Sequence, residues 1–218
     1  MRDIIVYAEE TNKPTCILTI DFKESFDRIS HSFLFLILKE YGISERFCKR
    51  LQNIYANATS TLTINGNRSK QIRLHSGVRQ GCPLSMLLFA LYINSLLINL
   101  DKKLQGLKVG SRCTKTTAIA YADDTTIIAT RPEDIDIIQE TLNDYEKVTG
   151  ARINTHKSRA IVLGSRDKSK PIMPIQYHDE IKILGFNMTN NTKESANKSS
   201  AALTAKIRAQ TQDATIEH

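Results

Sequence analysis

An α+β fold, in which an antiparallel sheet carries helices on one face, is what this 218-residue sequence predicts. Three observations carry the prediction. Short runs of apolar and β-branched residues stand at 15–22, 118–130, 158–163 and 181–188, lengths that suit strands. Longer stretches with helical periodicity lie between them, at 33–41, 45–58, 84–104 and 133–148. The run AIAYADDTTIIAT, residues 118–130, reads as strand, tight turn, strand, so its two halves are antiparallel neighbours. Strand, helices, hairpin, helix, strand is the order of an antiparallel sheet with a helical layer.

Each element has a local reason. Residues 4–10 read as the tail of a helix, entered abruptly as at a fragment boundary and broken by Pro14. TCILTIDF, residues 15–22, is a short strand that ends in Asp21. Ser30 caps a helix over 33–41 that Gly42 stops. Ser44 and Glu45 open a helix to about residue 58, with Phe47, Leu51, Ile54 and Tyr55 on one face. Residues 61–74 form a hairpin that turns at Asn65-Gly66. GVRQGCP, residues 77–83, is a loop with two glycines, and Leu84 opens a long apolar helix to about residue 104. Residues 106–116 read as a basic linker. Asp123-Asp124 falls where a two-residue hairpin turn belongs. Thr130 and Glu133 have capping-box spacing, with Pro132 in the first turn. Ile135, Ile138, Leu142 and Tyr145 mark the packed side of that helix, and Thr149-Gly150 ends it. A turn at 153–156, a strand at 158–163, a polar loop at 166–170 closed by Pro171 and Pro174, and a pair of short strands around Gly185 follow. Beyond residue 190 the chain is polar and alanine-rich, a weak helix or a frayed end.

Composition narrows the function classes. The net charge of +7 is uneven: residues 61–120 carry nine basic side chains and one acidic, Asp101. A middle third of that sign attracts a polyanion such as nucleic acid, or else is a solvated basic face. Cys16, Cys48, Cys82 and Cys113 form no CxxC pair, which argues against structural zinc, and free thiols are expected. The greasiest run, 86–100, is short for a bilayer span and is interrupted by Asn94, Ser95 and Asn99, so a buried helix is expected and no membrane partner.

The acids point to chemistry. Asp21 ends a strand and Asp123-Asp124 sit at a hairpin turn. Adjacent acids between apolar strands repel and are costly to bury unpaired. One reading is a surface turn plus a capping or salt-bridged Asp21. The other is a site in which neighbouring strands bring Asp21 and Asp123 together to hold magnesium, a hard cation that takes a few carboxylate oxygens and completes its shell from phosphate and water.

The second reading gains a family. LTIDFKESFDRISH (18–31), SGVRQGCPLSMLLFALYIN (76–94), AYADDTTII (120–128), GARINTHKS (150–158) and IKILGF (181–186) resemble, in order and spacing, motifs A to E of the reverse transcriptase domain of non-LTR (LINE-like) retrotransposons. AYADD alone is a weak match; GVRQGCPLS is specific. The resemblance implies a palm-like sheet with part of a fingers lobe over residues 1–190, and a polar tail or the start of a thumb over 191–218. It implies RNA-directed DNA polymerase activity by two-metal catalysis, with two Mg2+ ions (Mn2+ as substitute), an RNA template, a DNA primer and deoxynucleoside triphosphates, in an element that works in the nucleus. The alternative is a catalytically incompetent fragment that keeps only the fold or nucleic-acid binding.

Roles carry over by position. Asp21 and Asp123 become the metal-ligating pair, and Asp124 a third carboxylate with a less direct part. Phe26 falls on the steric-gate position beneath the sugar, and is also a core candidate. Gln80 and Gly81 line the nascent base pair and template, Arg79 meets template phosphate, and Lys157 is a proton donor to pyrophosphate. Ser25, Met86, Ala151 and Ile183 depart from the usual alanine, proline, leucine and aromatic residues. The family's fingers residues before motif A, which grip the triphosphate, have no counterpart in this sequence, nor do an endonuclease or a cysteine-rich segment.

Overall fold

The computed structural model describes residues 2–109, 114–165, 174–183 and 186–189. In chain order the elements are α1 (Arg2–Glu10), β1 (Thr15–Ile20), α2 (His31–Glu40), α3 (Glu45–Ala56), β2 (Thr59–Ser60), β3 (Thr63–Ile64), β4 (Asn67–Arg68) and β5 (Ile72–Arg73). Then come α4 (Pro83–Lys103), β6 (Leu107–Val109), β7 (Thr114–Thr116), β8 (Ala118–Tyr121), β9 (Asp124–Ala129), α5 (Glu133–Thr149), β10 (Arg159–Leu163), β11 (Gln176–Tyr177), β12 (Glu180–Ile183) and β13 (Phe186–Thr189).

One five-stranded sheet, in the order β11-β10-β1-β9-β8, organises the molecule. β1 lies at its centre and pairs antiparallel with both β9 and β10; β11 alone runs parallel to its neighbour. A central strand is buried on both faces, and so TCILTI is almost unbroken in its apolarity. Cys16, Leu18 and Ile20 point to one face, where Leu34 and Leu38 of α2, Leu88 and Leu96 of α4, and Ile135, Ile138 and Leu142 of α5 cover them. Ile17, with Ile128 and Ile161 from the flanking strands, faces the other side. There Ile4, Ile5 and Ala8 of α1 close a second core with Leu107 of β6 and Ile181 and Ile183 of β12. The α+β antiparallel reading stands, with most of the helices on one face and α1 and two hairpins beneath.

α4 is 21 residues long, beyond the greasy stretch itself, and by length and composition alone meets the requirement for a membrane span. It buries Leu88, Phe89, Tyr92, Ile93, Leu96 and Leu100 in the core. Tyr92 ties three elements together: its hydroxyl donates to Thr149 O at the end of α5 (2.8 Å) and accepts from the Ser30 N–H that precedes α2 (3.2 Å).

Several local expectations change. The basic stretch 106–116 is not a plain linker: β6 and β7 pair antiparallel, Leu107 opposite Thr116, because Leu107 drops into the second core. α3 buries Cys48 and Leu51, while Phe47 and Ile54 are exposed, so its packed stripe is narrower than the periodicity suggested. The Thr130–Glu133 capping box does not form. The fully buried Asp134 carboxylate instead accepts from the N–H groups of Thr130 (2.9 Å) and Arg131 (3.0 Å) and holds the Arg131 guanidinium at 2.7 Å. The Asn65-Gly66 turn does form, with both residues at positive φ, between β3 and β4. The 166–170 loop, Pro171, Gly185, Cys113 and everything beyond residue 189 lie outside the described residues.

Candidate active site

β8 and β9 form the predicted hairpin, but its turn is displaced by one residue. Tyr121 pairs with Asp124, so Ala122 and Asp123 are the two turn residues and Asp124 is the first residue of β9. Ala122 has φ +52°, the left-handed value at the first turn position that glycine usually supplies in a type II′ turn. The displacement separates the two acids. Asp123 sits at the tip of the turn and Asp124 opens β9, and both are exposed.

Asp21 meets them from the neighbouring strand. Ile20 is opposite Thr125, and one further step of that register sets Asp21 across from Asp124. Asp21 is clamped from its other side by the 152–158 turn. Its N–H donates to the buried Ser158 hydroxyl (3.1 Å), and its C=O accepts from the Asn154 N–H (2.8 Å). The Lys23 N–H donates to Arg152 O (2.8 Å).

A cleft of about 670 Å³ opens above this junction, and Asp21, Phe26, Gln80, Gly81, Asp123 and Lys157 all line it. Asp124 lines a smaller cavity of about 130 Å³ behind, together with Asp21, Lys157, Arg159 and Lys182. Arg79 is elsewhere: with Gln80 it lines a groove of about 1070 Å³ between α3 and the 74–82 loop. That groove is the larger space, but Asp27 is the only acid among its lining residues, and the carboxylate chemistry belongs to the 670 Å³ cleft.

The acids crowd one another at this junction, with Lys157 lining both cavities and Arg159 and Lys182 the smaller one. Burial, then the neighbouring Asp123 and Asp21 carboxylates, push the Asp124 carboxyl above its ordinary value. Oxygen donors that repel one another at the mouth of a cleft fit a hard divalent cation. Among the described residues no three His, Cys, Asp or Glu side chains form a ready-made metal cage. A magnesium ion takes one or two carboxylates and fills its other positions from phosphate and water, and the Asp21–Asp123 pair suits that pattern.

Phe26 serves both of its readings. Its ring stacks on Phe89 (centroids 4.7 Å apart, planes at 20°) and packs against the core while lining the cleft. The 76–82 loop is laced to the turn after β1: the Val78 N–H donates to Phe26 O (2.9 Å), the Gly77 N–H to Ile29 O (2.8 Å) and the Ser76 hydroxyl to Asp27 O (3.0 Å). His31 Nε2 meets Gly77 O at 2.8 Å. The two glycines of the loop have different surroundings. A Cβ on Gly77 would lie 2.8 Å from Asp27 O, so this glycine is the one that allows close approach. Gly81, at φ +82°, faces open space on the cleft.

Sequence reasoning missed the residues that hold the acids in place. Ser158 and Asn154 had no signal beyond their closeness to Lys157. His31 carried none. Arg28 lines the cleft, pairs with Glu24 at 3.0 Å, and buries an Nε that has no partner; only its place beside Asp27 hinted at it.

The geometry has close company among known proteins. The profile of the family described as reverse transcriptase (RNA-dependent DNA polymerase) matches residues 1–188. The chain is 34% identical over 165 residues to the transposon TX1 uncharacterized 149 kDa protein of Xenopus laevis, a match spanning 76% of this chain and 13% of that protein. It is 28% identical over 202 residues to the retrovirus-related Pol polyprotein from type-2 retrotransposable element R2DM of Drosophila melanogaster, spanning 86% of this chain and 19% of that one. Among solved structures, apo telomerase from Candida tropicalis superimposes with a TM-score of 0.61 at 13% identity, over 88% of this chain and 34% of that one. That likeness concerns the fold and agrees with the palm-like α+β reading.

Proposed function

The chain belongs to the reverse transcriptase (RNA-dependent DNA polymerase) family, and from that premise we propose that its cleft adds deoxynucleotides to the 3′-hydroxyl of a DNA primer along an RNA template. The retrotransposon relatives support the non-LTR reading of the motifs, and the family as a whole works with divalent metals. The chain spans 13 to 31% of the length of the first three relatives it matches, so whole-protein activity and partners are part of the proposal. The observation that carries it is the convergence of Asp21 and Asp123, from opposite halves of the sequence, on one cleft with Phe26, Gln80, Gly81 and Lys157.

In this reading the primer 3′-oxygen attacks the α-phosphorus of a deoxynucleoside triphosphate, and pyrophosphate departs. Asp21 and Asp123 would hold two divalent cations, Mg2+ with Mn2+ as substitute, which would supply acidification of the primer hydroxyl and charge neutralisation at the leaving oxygen. Asp124 adds negative field from behind. Ser158 and Asn154 fix the Asp21 backbone, so its carboxylate meets the substrate already oriented. Phe26 presses on the sugar at C2′ and excludes a ribose hydroxyl. Gln80 hydrogen-bonds along the nascent pair, open space at Gly81 lets it approach, and Arg79 holds template phosphate in the adjoining groove. Lys157, which lines both carboxylate cavities, delivers a proton to the departing pyrophosphate.

Primer extension on an RNA template tests the reading. In a polymerase that carries this domain, Asp21→Asn or Asp123→Asn should each lower extension at least ~100-fold, roughly 2.7 kcal/mol of lost transition-state stabilisation. Normal extension by either variant would overturn the assignment. Duplex binding without extension by the 218-residue chain alone would place it with the second reading, a domain that keeps only fold and nucleic-acid affinity.

A further inference from the structure

Cys82 stands at the N-cap of α4, just before Pro83, and lines both the 670 Å³ cleft and the 1070 Å³ groove. Cys16 and Cys48 are buried in the core, whereas Cys82 is half-exposed. Its thiol makes no capping hydrogen bond as it stands. The Ser85 N–H donates to the Cys82 carbonyl oxygen (3.0 Å), and the first-turn N–H groups of Ser85 and Leu84, with Arg79 nearby, hold the thiol below the ordinary cysteine value. A second feature points at the same spot. The Ser85 side chain is 1% exposed, its hydroxyl has no hydrogen-bond partner, and it lines the same two cavities. It lies close to the Cys82 thiol and the Tyr55 phenol without bonding well to either. A buried hydroxyl with no well-formed hydrogen bond, beside a sulfur that faces two open spaces, is a donor placed for an atom added at that sulfur.

We propose that Cys82 is a modification site for small hydroperoxides, and that its oxidation obstructs the stretch where the cleft and the groove share Gln80, Cys82 and Ser85 as lining. The thiolate sulfur attacks the nearer peroxide oxygen; an S–O bond forms as the O–O bond breaks. The departing hydroxide, or alkoxide from an organic hydroperoxide, takes a proton from solvent and leaves as water or alcohol. Sulfur is oxidised by two electrons to the sulfenic acid, and the peroxide is reduced. The Ser85 hydroxyl donates to the new oxygen and retains it between the two cavities. Loss of nucleic-acid binding on oxidation rests on the polymerase reading above; the reactivity of the thiol does not.

The test treats the folded 218-residue chain with hydrogen peroxide at neutral pH, traps sulfenic acid with dimedone, and maps the adducts by mass spectrometry. Cys82 should be trapped at least ~10-fold faster than Cys16 and Cys48. Ser85→Ala should slow trapping at Cys82 at least ~3-fold while N-ethylmaleimide still labels it. Affinity for an RNA–DNA duplex should fall at least ~3-fold on oxidation of the unaltered chain, and Cys82→Ser should bind equally before and after treatment. Trapping at Cys82 no faster than at the buried cysteines, or oxidation that leaves existing duplex affinity unchanged, overturns the proposal. Failure of the untreated chain to bind any duplex overturns the polymerase reading of the cleft and the obstruction with it, and the reactivity is then decided by the trapping rates alone.

Discussion

Asp124 carries a charge that the fold disfavours. Burial and two neighbouring carboxylates raise its pKa above the unfolded value, so the folded state binds the proton more tightly. Its contribution to stability is therefore fully present below the unfolded pKa and is lost as pH rises through the folded one. At neutral pH and without divalent cations, Asp124→Asn should raise the melting temperature. Mg2+ or Mn2+ should relieve the same strain in the unaltered chain: at about 100 times its dissociation constant an ion adds about 2.7 kcal/mol, or roughly 5–10 °C for a domain of this size. Asp21→Asn should abolish most of that shift, as read by thermal melts with and without cation. Phe26 bears on the sugar. Phe26→Ala or Phe26→Val, in a polymerase that carries this domain, should raise ribonucleotide use relative to deoxynucleotide at least ~10-fold in the ratio of kcat/KM values, about 1.4 kcal/mol. An unchanged ratio in an active, folded variant would leave Phe26 with only its stacking on Phe89. The acids could be found from the sequence because they stand at a strand end and a hairpin turn, and the ring because it falls within the run that resembles motif A. Ser158, Asn154 and His31 could not, since they act through single hydrogen bonds between segments far apart in the chain.

At the scale of elements, the hairpin, the sheet strands and the apolar helices were legible because periodicity and turn residues are local signals. The one-residue displacement of the Asp-Asp turn was not, because register is decided by pairing with the neighbouring strand: β1 fixes β9 from Cys16–Ala129 to Ile20–Thr125. The α5 cap was missed for a related reason. A capping box is a spacing rule, whereas the buried Asp134 carboxylate collects the N–H groups of Thr130 and Arg131. Two variants test these joints. Gly77→Ala needs a Cβ 2.8 Å from Asp27 O at φ +87°, so it should cost more than ~1 kcal/mol and separate the 76–82 loop from the turn after β1. Ser158→Ala leaves the part-buried Asp21 N–H without its partner and should cost about 1–3 kcal/mol. Denaturant melts measure both. A loss within ~0.3 kcal/mol for Gly77→Ala would mean the loop is not held as described.

For the whole molecule, the charge pattern was legible and its placement only in part. Arg73 and Arg79 line the large groove, and the Arg73 guanidinium donates to Ala56 O (2.8 Å). Arg68 and Lys70 are exposed on the β3–β4 hairpin and its return. An RNA–DNA duplex laid across these groups should bind without sequence preference, and its affinity should fall roughly 10-fold or more between 50 and 200 mM salt. An affinity indifferent to salt would reduce the basic third of the chain to a solvated face. The joining of Asp21 to Asp123 is the claim on which the rest depends. Crystals grown with Mn2+ and a deoxynucleoside triphosphate test it most directly, through the anomalous signal of the metal. The account predicts a manganese peak in the cleft about 2.1 Å from carboxylate oxygens of both Asp21 and Asp123, absent in Asp21→Asn. A peak that touches neither carboxylate, or one that persists unchanged in Asp21→Asn, would contradict it.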